Sequence, residues 1–149
     1  MRVLDPVSFI LRKKGCDAWS VPSDATVYSA MQMMADKDVG ALLVVDQGQL
    51  VGLVSERDYA RKVILLGRGS KDTPVSEIMV AQPVTIAPEC SVDEAMRLIT
   101  THRMRHLPVV CDGKIMGIIS IGDLVNWIAF AQDQTIEQLE HYIEGKYPC

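Results

Sequence analysis

The chain has 149 residues, enough for one compact domain or two small fused ones. A hydrophobic content of 48% with only 5% aromatic residues is typical of an aliphatic α/β protein and excludes a disordered chain. The net charge of −4 argues against a broad nucleic-acid-binding surface, and no apolar run approaches the length of a membrane span.

The N-terminus and the cysteines favour a cytoplasmic protein. Asp5 and Pro6 interrupt the first apolar residues, which is not the pattern of a secretory signal peptide. The four cysteines contain no Cys-x-x-Cys pair and no regular spacing, which favours reduced thiols. We therefore expect cytoplasmic localisation, with neither a membrane nor nucleic acid as a partner.

The first half of the chain predicts a strand, a helix, a β-hairpin and a closing helix. Apolar residues between Val27 and Met34 recur at helical spacing. The segment 40–45 has the length of a strand, and Gln47-Gly48 marks a tight turn into the next one. The closing helix is expected to start near Asp58.

The second half predicts the same order of elements after a polar linker at residues 68–73. A short apolar strand is expected at residues 84–86. Ser91 and Glu94 form a capping-box pattern, in which the serine hydroxyl accepts from the amide three residues on and the glutamate reaches back. Asp112-Gly113 between two apolar runs is a strong hairpin signal.

The last part of the chain predicts two helices. One closes the second half and is expected to start near Asp123. From about Thr135 onward, apolar residues again recur at helical spacing on a polar segment, which predicts an amphipathic helix over residues 132–149.

The two halves are copies of one unit. Asp58 and Asp123 are 65 residues apart, and the helix and hairpin motifs repeat at the same offset. The segments 6–11 and 74–79 also match each other, at an offset of 68. Two copies of a unit this long suggest a closed pseudo-twofold pair, so function is expected at equivalent positions of both copies.

This pattern resembles a known family. The order strand-helix-strand-strand-helix, the Gly-apolar-apolar-Ser-x-x-Asp pattern at residues 52–58 and 117–123, and the sequence Arg105-His106-Leu107-Pro108-Val109 at the start of a strand resemble the CBS domain. Two such domains in tandem form a Bateman module. The resemblance covers nearly everything from Pro6 to about Phe130, and the chain is similar to stand-alone bacterial CBS-pair proteins assigned to signal transduction.

The resemblance implies an α/β (α+β) fold of two β-α-β-β-α repeats packed as a pseudo-twofold Bateman module. It implies two sheets packed through their helices, with two clefts between the domains. The expected boundaries are 6–67 for the first CBS domain, 68–73 for the linker, 74–131 for the second domain and 132–149 for the C-terminal helix. In this family the clefts commonly bind AMP, ADP, ATP, NAD or S-adenosylmethionine.

The resemblance also implies site residues. Asp58 and Asp123 correspond to the aspartate that accepts hydrogen bonds from both ribose hydroxyls in this family. Ser55 and Ser120 are expected to lie close to helix N-terminal amides suited to a phosphate. The alternative is that these residues only cap helices. The full set of candidate nucleotide-binding residues is Val21, Gly40, Ala41, Leu42, Ser55, Arg57, Asp58, Thr85, Arg103, Arg105, His106, Pro108, Ser120, Gly122 and Asp123.

The two copies differ where a phosphate would bind. Arg57 of the first copy corresponds to Gly122 of the second, and Gly40 corresponds to Arg105. Arginine can bind a phosphate through two parallel hydrogen bonds, whereas glycine offers only its amide. We therefore predict two unequal clefts.

We predict a non-enzymatic regulatory homodimer that binds an adenine nucleotide and passes a conformational signal to a protein target. The alternatives are a ligand-free dimerisation or adaptor scaffold, an S-adenosylmethionine-binding module, and a nucleotide-hydrolysing enzyme. No catalytic residue and no metal are predicted. His102 and His106 are four residues apart, but the turn into a strand breaks the helical register that a metal pair would need.

Overall fold

The computed structural model describes residues 3–143, and it describes side chains for residues 3–134. The helix Glu56–Tyr59 continues directly into a π-helical turn, Ala60–Ile64, and a 3₁₀ turn, Val75–Glu77, precedes the strand Val80–Ala81. In chain order the main elements are α1 (Val7–Lys14), β1 (Ser20–Val21), α2 (Val27–Lys37), β2 (Ala41–Asp46), β3 (Gln49–Ser55), α3 (Glu56–Tyr59), β4 (Val80–Ala81), α4 (Val92–His102), β5 (His106–Cys111), β6 (Lys114–Ser120) and α5 (Ile121–Ile143).

The two halves of the chain form two sheets built around the same hairpin. One sheet has the order β1-β2-β3-β4, and the other pairs β5 with β6. Ala41 pairs with Ser55 in the first hairpin and His106 with Ser120 in the second, which are equivalent positions of the repeat. The predicted α/β fold with a duplicated unit is confirmed.

The hairpin turns have the predicted chemistry. Gln47 and Gly48 have φ angles of 50° and 77°, and Asp112 and Gly113 have 51° and 77°. A type I′ turn needs positive φ at both central residues, which glycine adopts without strain at the second.

The prediction of a strand over residues 84–86 is wrong, because the segment forms a single bridge and not a strand. The segment makes one parallel bridge, between Ile86 and Val109. In the first repeat the Leu43 amide donates to the Trp19 carbonyl at 3.0 Å, but the residue equivalent to Leu43 is Pro108, which has no backbone N–H to donate to residue 84. This segment therefore places a single residue beside β5 where β1 places two beside β2.

The capping box predicted at Ser91 forms only in part. The Ser91 hydroxyl accepts from the Glu94 amide at 3.1 Å. The Glu94 carboxylate instead accepts two hydrogen bonds from Arg97, one of them from Nε at 2.9 Å. A bidentate pair with a cation one turn ahead replaces the reciprocal bond to the cap.

The repeats meet through their sheets, so the expected packing of the sheets through their helices is wrong. Leu42 of β2 faces the helices of its own repeat. Leu43 and Leu53 point to the opposite face, where they pack with Ile115 and Ile118 of the second repeat. Because β2 is apolar on both sides, one of its faces is available to the other repeat.

The segment before each repeat packs on the other repeat. In α1, which precedes the first repeat, the Val7 amide donates to the Cys90 carbonyl at 2.8 Å. In the equivalent segment before the second repeat, the Val75 amide donates to the Ala25 carbonyl, also at 2.8 Å. The predicted domain boundaries stay a prediction, but these contacts cross them.

Two glycines make room for these crossed segments. Leu11 of α1 packs so closely on Gly117 that a β-carbon there would lie 2.8 Å from Cδ2 of the leucine. Met79 packs in the same way on Gly52. The glycines are 65 residues apart and the apolar side chains 68, so both sequence offsets have a spatial counterpart.

A separate C-terminal helix starting near residue 132 is not present in the described part of the chain. Helix α5 runs without interruption from Ile121 to Ile143. Residues 132–143 are therefore an extension of the closing helix of the second repeat. The side chains of the apolar stripe predicted from Thr135 onward, and residues 144–149, lie outside the described residues.

Candidate functional site

Each hairpin ends at a serine that starts a helix, and an aspartate lies three residues later. The Ser55 amide donates to Oδ2 of Asp58 at 2.9 Å, and the Asp58 amide donates to the Ser55 hydroxyl at 3.3 Å. Ser120 and Asp123 make the same pair of bonds at 2.9 and 3.0 Å. Both helices therefore start with a capping box, and each aspartate has a fixed position at the end of a strand.

A cleft of about 650 Å³, called the first cleft below, opens beside Asp58 between the two repeats. It brings together seven of the candidate residues. Its lining residues are Gly40, Leu53, Ser55, Glu56, Arg57, Asp58, Arg61, Lys62, Val80, Gln82, Pro83, Val84, His102, Arg103, Met104, Arg105 and His106.

The first cleft is basic although the chain is acidic. Glu56 and Asp58 are its only carboxylates among the described lining residues. Five lining side chains are cationic: Arg57, Arg61, Lys62, Arg103 and Arg105. Three of them come from the first repeat and two from the turn between α4 and β5, so both walls of the cleft carry positive charge.

The remaining candidates lie elsewhere. Val21 and Leu42 are buried in the core of the first repeat, and Ala41 is buried between the repeats. Pro108 is buried in β5, whereas Thr85 is exposed. Ser120, Gly122 and Asp123 form the equivalent junction of the second repeat, called the second site below.

His106 lies at the base of the first cleft. Burial lowers its pKa from the ordinary value of 6.5, Asp123 opposes that effect, and the charges of Lys14 and Arg105 lower it further. The imidazole is therefore neutral at pH 7, so one ring nitrogen donates a hydrogen bond and the other accepts one.

The two aspartates have different cationic partners. Oδ1 of Asp58 lies 3.3 Å from Nζ of Lys62, one turn along the same helical segment. Oδ2 of Asp123 accepts from Nζ of Lys14, on α1, at 2.7 Å. Burial raises the pKa of Asp123, but the hydrogen bonds from Lys14 and Ser120 lower it more strongly, so the carboxylate is ionised at neutral pH.

Comparison with known proteins assigns the family. A model of the CBS domain matches residues 11–64 and again residues 75–130. The chain belongs to the CBS-domain family. It is a pair of CBS domains, as its duplicated motifs indicated.

Relatives of this CBS pair agree with that assignment. A solved protein with CBS domains from Burkholderia ambifaria is 51% identical, with a TM-score of 0.80 over 83% of this chain and 93% of its own. The CBS domain-containing protein CBSX3, mitochondrial, from Arabidopsis thaliana is 40% identical over 95% of this chain and 73% of its own length. A CBS pair solved in complex with 5′-methylthioadenosine and S-adenosyl-L-methionine is 22% identical, with a TM-score of 0.75 over 86% of this chain and 98% of its own, which shows the shared fold alone.

Sequence reasoning missed several residues of the first cleft in this CBS pair. Arg61 and Lys62 were not among the candidates, although they follow Arg57 and Asp58 by four residues and so share a helix face with them. Gln82 was missed because the strand β4 that carries the cleft wall there has only two residues, too few for a sequence pattern.

Among the described residues, no group of three or more His, Cys, Asp or Glu side chains is placed to hold a metal ion. Within residues 3–143, none of the helices has the length and apolar content of a membrane span.

Proposed function

We propose that this CBS pair is a regulatory module that binds an adenosine-containing nucleotide in the first cleft. The observation that carries the proposal is that one cleft combines the Asp58 carboxylate, an apolar wall and an excess of cations from both repeats. In this arrangement the Asp58 carboxylate accepts hydrogen bonds from the ribose hydroxyls, and the base packs beside Leu53, Val80 and Val84. The phosphates lie between the arginines of the two repeats.

The charge of the cleft favours a phosphorylated ligand over S-adenosylmethionine. Five cations face two carboxylates, so a di- or triphosphate relieves their mutual repulsion. Arginine also binds phosphate through two parallel hydrogen bonds. S-adenosylmethionine brings a positive sulfonium into the same field. CBS domains commonly bind adenosine compounds, and the cations of this chain favour AMP, ADP, ATP or NAD within that class.

A bound nucleotide would connect the two repeats. Asp58 and Arg57 belong to the first repeat, whereas Arg103 and Arg105 belong to the second. A ligand that contacts both can favour one relative arrangement of the repeats, and a partner that reads this arrangement would receive the signal. This role needs no chemical step, so the proposal is a binding protein and not an enzyme. Cytoplasmic localisation stays a prediction.

Calorimetric titration tests the proposal, with AMP, ADP, ATP, NAD and S-adenosylmethionine as probes. We expect Asp58→Asn to lower the affinity for the best nucleotide about ten- to a hundredfold, because the ribose hydroxyls lose a charged acceptor. The asparagine oxygen still accepts from the Ser55 amide, so the helix cap survives. The matched control is Asp46→Asn, since the Asp46 carboxylate accepts from the Ser23 amide at 2.9 Å but lies outside the cleft.

The alternatives give different results. A nucleotide at about 100 times its dissociation constant should stabilise the protein by about 2.7 kcal/mol, which a thermal melt detects. A ligand-free scaffold would show no such shift with any probe. An enzyme would convert ATP during long incubation with magnesium, which chromatography of the products would reveal.

A further inference from the structure

Lys14 binds Asp123 from a different part of the fold. Its Nζ donates to Oδ2 of Asp123 at 2.7 Å and to the Ile118 carbonyl at 3.1 Å. The side chains of the lysine and the aspartate are 33% and 23% exposed, so the pair is partly shielded from water. Asp123 is equivalent to Asp58, so its carboxylate would accept hydrogen bonds from a ribose at the second site. The Lys14 ammonium contacts this same carboxylate.

The position of Lys14 is set by a well-anchored helix. Val7, Ile10 and Leu11 of α1 are at most 4% exposed and pack in the core of the second repeat. Lys14 is the last residue of this helix. A cation in the last turn also interacts favourably with the helix dipole.

The first cleft has no equivalent of this lysine at the matching place of the repeat. Leu11 and Met79 occupy equivalent positions against Gly117 and Gly52, and three residues further along, the counterpart of Lys14 is Gln82. Gln82 lines the first cleft and is neutral. Asp58 has its cation, Lys62, at 3.3 Å on its own helical segment, at a longer distance than the 2.7 Å of the Lys14–Asp123 pair.

Resting on the proposed function, we propose that Lys14 is a built-in occupant of the second site that competes with the ribose of a nucleoside for Asp123. Oδ2 of Asp123 accepts from both Lys14 and the Ser120 amide, so a ribose hydroxyl can donate to this oxygen only if the ammonium moves away. The second site is therefore the weaker of the two, and Lys14 sets the difference. Affinity for the sugar, and not for phosphate, is the quantity that this lysine controls.

The test uses adenosine, which has the ribose but no phosphate, so that the loss of a cation does not also weaken phosphate binding. The titrations are made on the full chain carrying Asp58→Asn, which weakens the first cleft. In this background we expect Lys14→Met to raise the adenosine affinity about three- to tenfold, in line with the modest strength of partly exposed ion pairs. Adding Asp123→Asn should remove the gain.

Matched variants separate this effect from a change of net charge or of folding. Lys13→Met removes the neighbouring charge of α1, which lies over the Phe130 ring 4.6 Å from its centroid, and should leave the affinity unchanged. Lys14→Arg keeps the cation and should bind like the parent. Lys14→Gln introduces the residue type found at the equivalent place of the first cleft, and provides a second neutral variant if the methionine lowers the melting temperature.

The outcomes distinguish the two proposals. If the unmodified chain binds adenosine or ATP, but Lys14→Met and Lys14→Gln leave the affinity of the Asp58→Asn protein unchanged or lower it, the role of Lys14 is wrong and the proposed function stands. If neither adenosine nor ATP binds to any of these proteins, both proposals are overturned.

Discussion

Gly40 lies against His106 across the boundary of the two repeats. A β-carbon on Gly40 would be 4.0 Å from Nε2 of the imidazole, which is an ordinary van der Waals contact. Both residues line the first cleft. The absence of a side chain at Gly40 therefore leaves the base of the cleft open without any need for unusual backbone geometry.

A larger side chain at this position should close the cleft. We expect Gly40→Leu to lower nucleotide affinity about tenfold or more, because the added atoms must displace either His106 or the ligand. Gly40→Ala is the control, since one methyl group fits at 4.0 Å. Calorimetry and thermal melts would be measured on both. Full affinity in the leucine variant would show that the ligand does not reach the base of the cleft.

Arg105 should matter more than Arg57 for the phosphates. Arg57 lies between Glu56 and Asp58 in the chain, which compete for its charge, whereas Arg105 has a methionine and a histidine as neighbours. Arg105→Ala should therefore weaken ATP about tenfold and AMP less, and Arg57→Ala should have the smaller effect on ATP. Arg97→Ala, at an exposed pair with Glu94 on α4, is the control. Equal effects of both substitutions on AMP and ATP would contradict the predicted asymmetry.

His106 should make the protein less stable in mild acid. Its pKa is lowered mainly by burial, so the unfolded chain binds a proton more readily than the folded one. This contribution to stability is complete above pH 6.5, the ordinary pKa of histidine. It is lost as the pH falls from there to the lowered pKa of His106 in the folded protein. Urea unfolding at about pH 7.5 and about pH 5.5 should show a smaller difference for His106→Gln than for the unmodified protein. Gln82→Asn, a neutral substitution in the same cleft, should keep the full difference.

The protein should be a homodimer in solution. Leu65 is 75% exposed and Phe130 is 42% exposed, and they occupy equivalent positions of the two repeats. Exposed apolar side chains at equivalent positions of a pseudo-twofold unit favour a second copy that packs on them. Sedimentation at micromolar concentration should show a species larger than 16.5 kDa. Leu65→Glu should shift it toward the monomer, whereas Leu4→Glu, at another exposed leucine, should not. A single 16.5 kDa species for the unmodified chain would refute the dimer.

The local features of the fold could be predicted from the sequence. Asp112-Gly113 between apolar runs determined a turn, because few residue pairs adopt its two positive φ angles. The repeat was identified because the helix and hairpin motifs recur at the same offset of 65 residues that separates Asp58 and Asp123. The relation between the repeats could not be predicted in this way, because Leu43 and Ile118 are far apart in the chain and either face of β2 is apolar enough to be a core.

The candidate site was predictable only around the motif that both copies share. The spacing of Ser55 and Asp58 was compatible with both a helix cap and a ligand site, its duplication favoured the ligand site, and the structure shows that the capping bonds are present. Arg61 was missed because its place in the cleft depends on the direction of a helix that the sequence only approximately bounds. No sequence pattern linked Lys14 to Asp123, since they are 109 residues apart.

The crossed packing of the segments that precede the repeats bears on how such a protein can be divided. Residues 7–11 complete the core of the second repeat, and residues 75–78 complete that of the first. A cut in the linker therefore does not release two finished halves, because each half would retain the piece that the other requires and expose its own Gly52 or Gly117 groove. The duplication has produced one cooperative unit in which neither copy is self-sufficient, and its parts are expected to unfold together.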